Sequence, residues 1–124
     1  MRAFFADRPG AERPSEEEEL RRVVPVVRRL AEHGVLVSVD TMRSRVAEAG
    51  IEAGAAIIND VSGGLADPAI AGVVAGTDVP FVAMHWRGHS TDMYGPARYD
   101  DVVAEVCREL TDRVDSLLSS GPAE

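Results

Sequence analysis

The sequence predicts an α/β fold built on parallel strands. Three observations carry that reading. Segments with helical apolar spacing alternate with short β-branched runs. The strand-like runs recur about every twenty to twenty-five residues, the room that a crossover helix needs. Each run stops at a polar group.

The elements follow in order. Ser15 with Glu18 three residues later makes a capping-box pattern, and Glu16 to Glu19 place negative charge on the first turn of the helix that follows. "EEEE" therefore reads as a helix start, not as an acid catalyst. Leu20, Val23, Val24, Val27, Leu30 and Ala31 keep the helical period, and Gly34 marks the stop. Pro25 removes the donor that the Arg21 carbonyl would take and should kink the helix slightly. Val35 to Val39 reads as a strand ending at Asp40-Thr41. A second helix is expected over Ser44 to Ala53, weakened by Gly50 and closed by Gly54. The strand Ala56 to Asn59 runs on into Asp60. Asp67-Pro68 is an N-cap and first-turn pair for a short helix ending near Gly76. Phe81 to Met84 is a third strand, leading into the polar stretch "HWRGHSTDMYGPAR". The last helix carries Val102, Val103, Val106, Leu110, Val114, Leu117 and Leu118 on one face and ends at Gly121-Pro122; Cys107, beside that stripe, is expected in the core.

The order is thus α-β-α-β-α-β-α, with right-handed crossovers between parallel strands. Strands laid side by side in chain order put every helix on one face, as in a sector of a (β/α) barrel. A reversal of strand order gives a doubly wound sheet instead. The alternation fits both.

Composition narrows the function classes. The 124 residues allow one domain, 45% hydrophobic and 27% charged. No segment is apolar for the length a membrane helix needs. Thirteen basic residues, all arginine, face twenty-one acidic ones, and the net charge of −8 opposes nucleic acid and anionic lipid. Lysine chemistry is excluded within the chain. A single cysteine excludes an internal disulfide and suits a reducing compartment, and the "MRAFFADRPG" start is too short an apolar run for a signal peptide, so a cytoplasmic setting is expected.

In either architecture ligands bind at the carboxyl ends of parallel strands. Those ends offer Asp40, then Asn59 with Asp60, then Met84-His85-Trp86-Arg87. A carboxylate accepts hydrogen bonds and an amide both donates and accepts, the mixture that a flat heterocycle with amino, ring N–H and carbonyl groups requires. Met84 or Trp86 supplies an apolar wall. Each polar strand end taken alone also fits a helix cap or turn, and for Asp60 the structural role is the expectation. Gly63-Gly64 offers backbone N–H groups to a phosphate but lacks the glycine-rich fingerprint and lysine of a phosphate loop. His85 and His89 stand four apart in loop context with no third ligand nearby, which argues against a metal pair. No Ser/His/Asp nucleophile arrangement is readable.

The stretches "RPGAERPSEEEELRRVVPVV", "VSVDTMRSRVAEAGIEAGAAIINDVSGG", "ADPAIAGVVA", "VPFVAMHWRG" and "YDDVVAEV" resemble the dihydropteroate synthases, particularly the actinobacterial kind, from Arg8 to about Gly121. The combination of VDT, IND-SGG and MHWRG carries the resemblance. A methyltetrahydrofolate-type pterin-binding domain shares the plan but fits these motifs less well. The resemblance implies a partial (β/α)8 TIM barrel: about three parallel strands, equivalent to strands three to five of eight, with four flanking helices. It implies residues 1–14 as a non-matching start with the remnant of the loop after the second strand, 15–121 as a partial pterin-binding domain, and 122–124 as a tail. The implied reaction joins hydroxymethyl-dihydropterin diphosphate to 4-aminobenzoate in folate biosynthesis, with Mg²⁺ and release of pyrophosphate.

Residue by residue, the resemblance matches Asp40 and Asn59 to pterin hydrogen bonds and Val61 and Met84 to apolar contacts with the pterin. Arg8 matches an arginine that handles the diphosphate and aminobenzoate. There are departures. Asp7 stands where the family has a threonine. The family's first strand, with its metal-associated asparagine, is not matched, nor are the later strands that supply a second pterin-binding aspartate, a lysine, and an arginine with a histidine. No metal ligand is therefore expected in this chain. A truncated chain, catalytically incomplete by itself, is the expectation. The alternatives are a non-catalytic remnant with a partial pterin surface and, against the motifs, a flavodoxin-like binding domain.

Overall fold

The computed structural model describes residues 13–89 and 95–120. In chain order the elements are α1 (Glu16–Glu32), β1 (Ser38–Asp40), α2 (Ser44–Glu52), β2 (Ile57–Asp60), α3 (Ala69–Ala75), β3 (Phe81–Ala83) and α4 (Val102–Ser119). The strands pair in parallel in the order β1-β2-β3. This chain-order pairing matches a barrel sector and leaves no strand-order reversal for a doubly wound sheet among the described residues. No described helix is long and apolar enough to cross a membrane.

Ser15 caps α1 as expected, its Oγ accepting the Glu18 N–H at 3.2 Å. The Glu18 carboxylate is engaged by Arg21 and Arg22, so the side-chain half of the capping box gives way to i,i+3 and i,i+4 ion pairs. The first strand is shorter than its apolar run. Gly34 (φ 73°) and Val35 donate back to the Ala31 and Leu30 carbonyls, so this stretch still closes α1 and leaves Val35 and Leu36 exposed. The second strand instead runs one residue further than its apolar stretch, through Asp60.

The core lies between one face of the sheet and the helices. Val39 and Ile58 pack there with Val23 and Val27 of α1, Ala47 of α2 and Ile70 of α3. Helix α2 lies between α1 and α3 and packs on both. The opposite sheet face is uncovered among the described residues: Ile57 is 36% and Val82 44% exposed. Helix α4 differs from the expectation. None of its residues is buried: the described elements cover its apolar stripe only in part, leaving Val106, Leu110 and Leu117 half-buried and Val102, Val103, Val114 and Leu118 exposed. Cys107 is exposed too, correcting its expected place in the core.

Gly54 shows how tightly α1 and α2 meet. It closes α2 at φ 102°, and a Cβ there would stand 2.6 Å from Ala31 Cβ. Gly54→Ala should therefore lower stability by about 2 kcal/mol, from the positive φ and the clash together. Urea unfolding followed by circular dichroism measures this; an unchanged midpoint would contradict the packing.

Candidate functional site

The carboxyl ends of the strands carry the site. Asp40, Asn59 and Val82 are register partners and form one row across the sheet. Side chains alternate along a strand, and Val39 and Ile58 point into the helix-covered core, so Asp40 and Asn59 belong to the open face. Val61 and Met84 stand just beyond the ends of β2 and β3, and Met84 also borders a cleft with Leu65, His85 and Glu109. Two backbone bonds hold the edge: the Thr41 N–H donates to the Asn59 carbonyl at 3.0 Å, and the Met84 N–H to the Asp60 carbonyl at 3.3 Å. Asp40, Asn59 and Val61 are half-buried and Met84 is exposed. No described residue hydrogen-bonds the Asn59 side-chain amide. Four of the five residues singled out from the sequence thus come together. The fifth, Arg8, lies outside the described residues.

Asp60, though adjacent to Asn59, points the other way. It is fully buried and accepts from Ser62 N–H, Ser62 Oγ and Gly64 N–H, each at 2.8 Å. Its role is to build the Ser62-Gly63-Gly64 turn, where both glycines have positive φ. The Gly63 N–H is taken by the Asp60 carbonyl and the Gly64 N–H by its carboxylate. Neither is left for a phosphate, which removes that reading of the glycine pair.

Asp67 caps two helices at once. Oδ2 accepts the Ser44 N–H of α2 at 2.7 Å and Oδ1 the Ala69 N–H of α3 at 3.2 Å. Partial burial opposes its ionisation, but the bonds from Ser44 and Ala69 and the nearby Arg13 charge hold its carboxyl below the usual range. Among the described residues no group of three or more His, Cys, Asp or Glu is placed to hold a metal ion. Asp60 has its oxygens filled by donors and Glu19 is paired with Arg43, so the described residues do not assemble an oxygen-ligand set for Mg²⁺.

Sequence reasoning missed Glu19 and Arg43. Glu19 is only 1% exposed, bound to Thr41 Oγ1 and Arg43, and ties α1 to the loop after β1. The signal was present: Glu19 lies four residues before Val23 and eight before Val27, on the buried stripe.

The family model described as "Pterin binding enzyme" matches residues 5–124. The chain belongs to the pterin-binding enzyme family. It is 50% identical over 115 residues to the dihydropteroate synthase of Mycobacterium leprae, covering 92% of this chain and 40% of that protein. The Yersinia pestis dihydropteroate synthase, solved with a sulfonamide drug complex, superposes with a TM-score of 0.85 at 37% identity, over 94% of this chain and 42% of that one. The Xanthomonas albilineans enzyme in complex with 7,8-dihydropteroate gives 0.76 at 42% identity, over 90% and 41%. The chain thus spans about two fifths of the length of the relatives it matches, and its three parallel strands and four helices are part of their TIM barrel.

In this chain the polar groups after Met84 build the loop's attachment to α4. His85 Nε2 meets Glu109 Oε2 at 2.7 Å. Arg87 reaches Glu109 through Nε and Nη2, Glu105 through Nη2 at 2.7 Å, and the Arg98 carbonyl through Nη1 at 2.7 Å. Its guanidinium lies 4.0 Å from the Tyr99 ring centroid. The bonds from Arg87 and then His85 hold the Glu109 carboxyl down at about 2, and Arg87 with the Asp101 and Asp100 N–H groups lowers Glu105. Arg87 is itself raised by both carboxylates. His85 thereby anchors the loop to α4.

A depressed carboxyl favours the docked state above the ordinary carboxylate range and loses that contribution as pH falls. Docking of α4 should therefore weaken between about pH 4.5 and 2. Emission from Trp86, the chain's single tryptophan, should report that transition, and Glu109→Gln should reduce its pH dependence to the part that Glu105 carries. An unchanged profile in the variant would rule out Glu109 as the titrating group.

Proposed function

We propose that this chain forms a pterin-binding wall of a dihydropteroate synthase. The observation that carries the proposal is the open-face pair of Asp40 and Asn59, with Val61 and Met84 just beyond the adjoining strand ends. The Asp40 carboxylate accepts hydrogen bonds from amino and ring N–H groups, and the Asn59 amide donates to and accepts from the same heterocycle edge. Val61 and Met84 give its flat face an apolar surface. The Xanthomonas relative binds 7,8-dihydropteroate, which supports a pterin ligand here. Residues 15–121 make up the pterin-binding unit in this reading.

The reaction is the condensation of hydroxymethyl-dihydropterin diphosphate with 4-aminobenzoate. The aminobenzoate nitrogen forms a bond to the pterin methylene carbon, the carbon–oxygen bond to diphosphate breaks, pyrophosphate leaves with the electron pair, and the nitrogen loses a proton. Asp40 and Asn59 orient the ring while positive charge develops at that methylene. Arg8 meets the diphosphate and aminobenzoate, where cationic donors stabilise the departing charge. No step is assigned to Mg²⁺, since the described residues do not provide its ligands. A cytoplasmic setting agrees with the unpaired Cys107.

A second reading, pterin binding without turnover, is favoured by the bare sheet face around Val82, since an open site admits water and weakens electrostatic stabilisation. Pyrophosphate release separates the two: purified chain with both substrates and Mg²⁺ either turns over or only binds. In both readings Asn59→Ala should weaken binding of pterin-6-carboxylate about tenfold or more, through loss of hydrogen bonds to the ring. Fluorescence titration measures this, and an unchanged affinity would remove Asn59 from the site.

A further inference from the structure

Glu19 and Arg43 connect two segments far apart in sequence. The buried Glu19 carboxylate accepts Thr41 Oγ1 at 2.8 Å through one oxygen and pairs with Arg43 Nη1 at 2.6 Å through the other. The remaining Arg43 nitrogen, Nη2, donates to the Pro14 carbonyl at 2.6 Å, and the Arg43 backbone N–H to Thr41 Oγ1 at 3.2 Å. One guanidinium fork therefore spans from the segment entering α1 to the loop after β1. Thr41 follows Asp40 directly, and its own N–H is already tied to the Asn59 carbonyl. The loop bearing Asp40 is gripped from α1 and from β2 together.

The surroundings agree with a tightly placed entry segment. Burial and the like charge of Arg43 push the Arg13 guanidinium down, against the pull of Glu19, Asp60 and Asp67. A buried ion pair gives little net stability over apolar side chains of the same volume. What it adds is geometry: a planar fork fixes direction as well as distance, and it acts one residue from a ligand-facing carboxylate.

We propose that Glu19 and Arg43 are positioning residues, which set Asp40 at the pterin face and tie its loop to the segment entering α1 at Pro14. The proposal deepens the pterin reading and rests on it.

Arg43→Lys tests this in the full chain, since lysine keeps a cation against Glu19 but cannot hold the Pro14 carbonyl with a second nitrogen. By titration with pterin-6-carboxylate, Arg43→Lys should raise Kd about fivefold, while in an Asp40→Asn background the same change should add less than about twofold. Equal factors in both backgrounds would overturn the assignment, because a merely structural loss does not depend on the Asp40 charge. Amide hydrogen exchange without ligand gives the second arm. Arg43→Lys, and Glu19→Gln where it folds, should speed exchange at residues 15–18 and 41–44 together and leave 57–60 protected. Acceleration everywhere, or none at 41–44, would overturn the coupling. A wild-type chain that binds no pterin defeats the functional reading, and with it the role toward Asp40, while the exchange arm still decides whether the two segments are linked.

Discussion

Right-handed crossovers between parallel strands that neighbour one another in chain order carry every connecting helix to the same side of the sheet. Here β1, β2 and β3 pair in that order. Val39 and Ile58 therefore bury under α1, α2 and α3, and the residues between them in the pleat are turned to the other side. Two polar side chains and two apolar ones meet at the carboxyl edge without any loop having to fold over to bring them together. The same constraint leaves the sheet one-sided. Among the described residues nothing covers its other face, where Ile57 and Val82 stay exposed.

The loops at that edge are built by carboxylates that do not face the ligand. Asp60 takes three donors from its own turn, Asp67 caps two helices, and Glu19 grips Thr41 and Arg43. Removing one partner of such a buried pair commonly costs about 3–5 kcal/mol, since the other charge remains buried. Polar residues near a pocket thus fall into two groups separated by direction. Asp40 and Asn59 share the open face, while Asp60, one residue further along, is wholly internal. A single step in the pleat separates a side chain on the open face from one that builds a turn.

Much of this was legible in the sequence because it depends on local rules. Ser15 as a cap, Gly34 and Gly54 as stops, and the three short strands follow from neighbours within a few residues. The row of Asp40 and Asn59 followed from placing two strand ends side by side. What escaped depends on partners distant in sequence. Glu19 looked like one of four equivalent first-turn acids, and only the packing of α1 on the loop after β1 separates it from Glu18. The exposure of Cys107 and of the α4 stripe escaped for a related reason. A helical pattern states which face is apolar but not whether a neighbour covers it. His85 and Arg87 looked like site residues because they follow Met84, yet the ion pairs with Glu105 and Glu109 across the long loop claim them.

Asp67 has a consequence for how such a chain can diversify. Its two oxygens, on one rigid carboxylate, receive the first free amides of both α2 and α3. The spacing between the two loops is set by the width of a single functional group. An insertion in either loop would have to move two helix starts, and a change of Asp67 itself would uncap both. Variation in length and sequence is then channelled away from this edge, toward the outer surfaces of the helices.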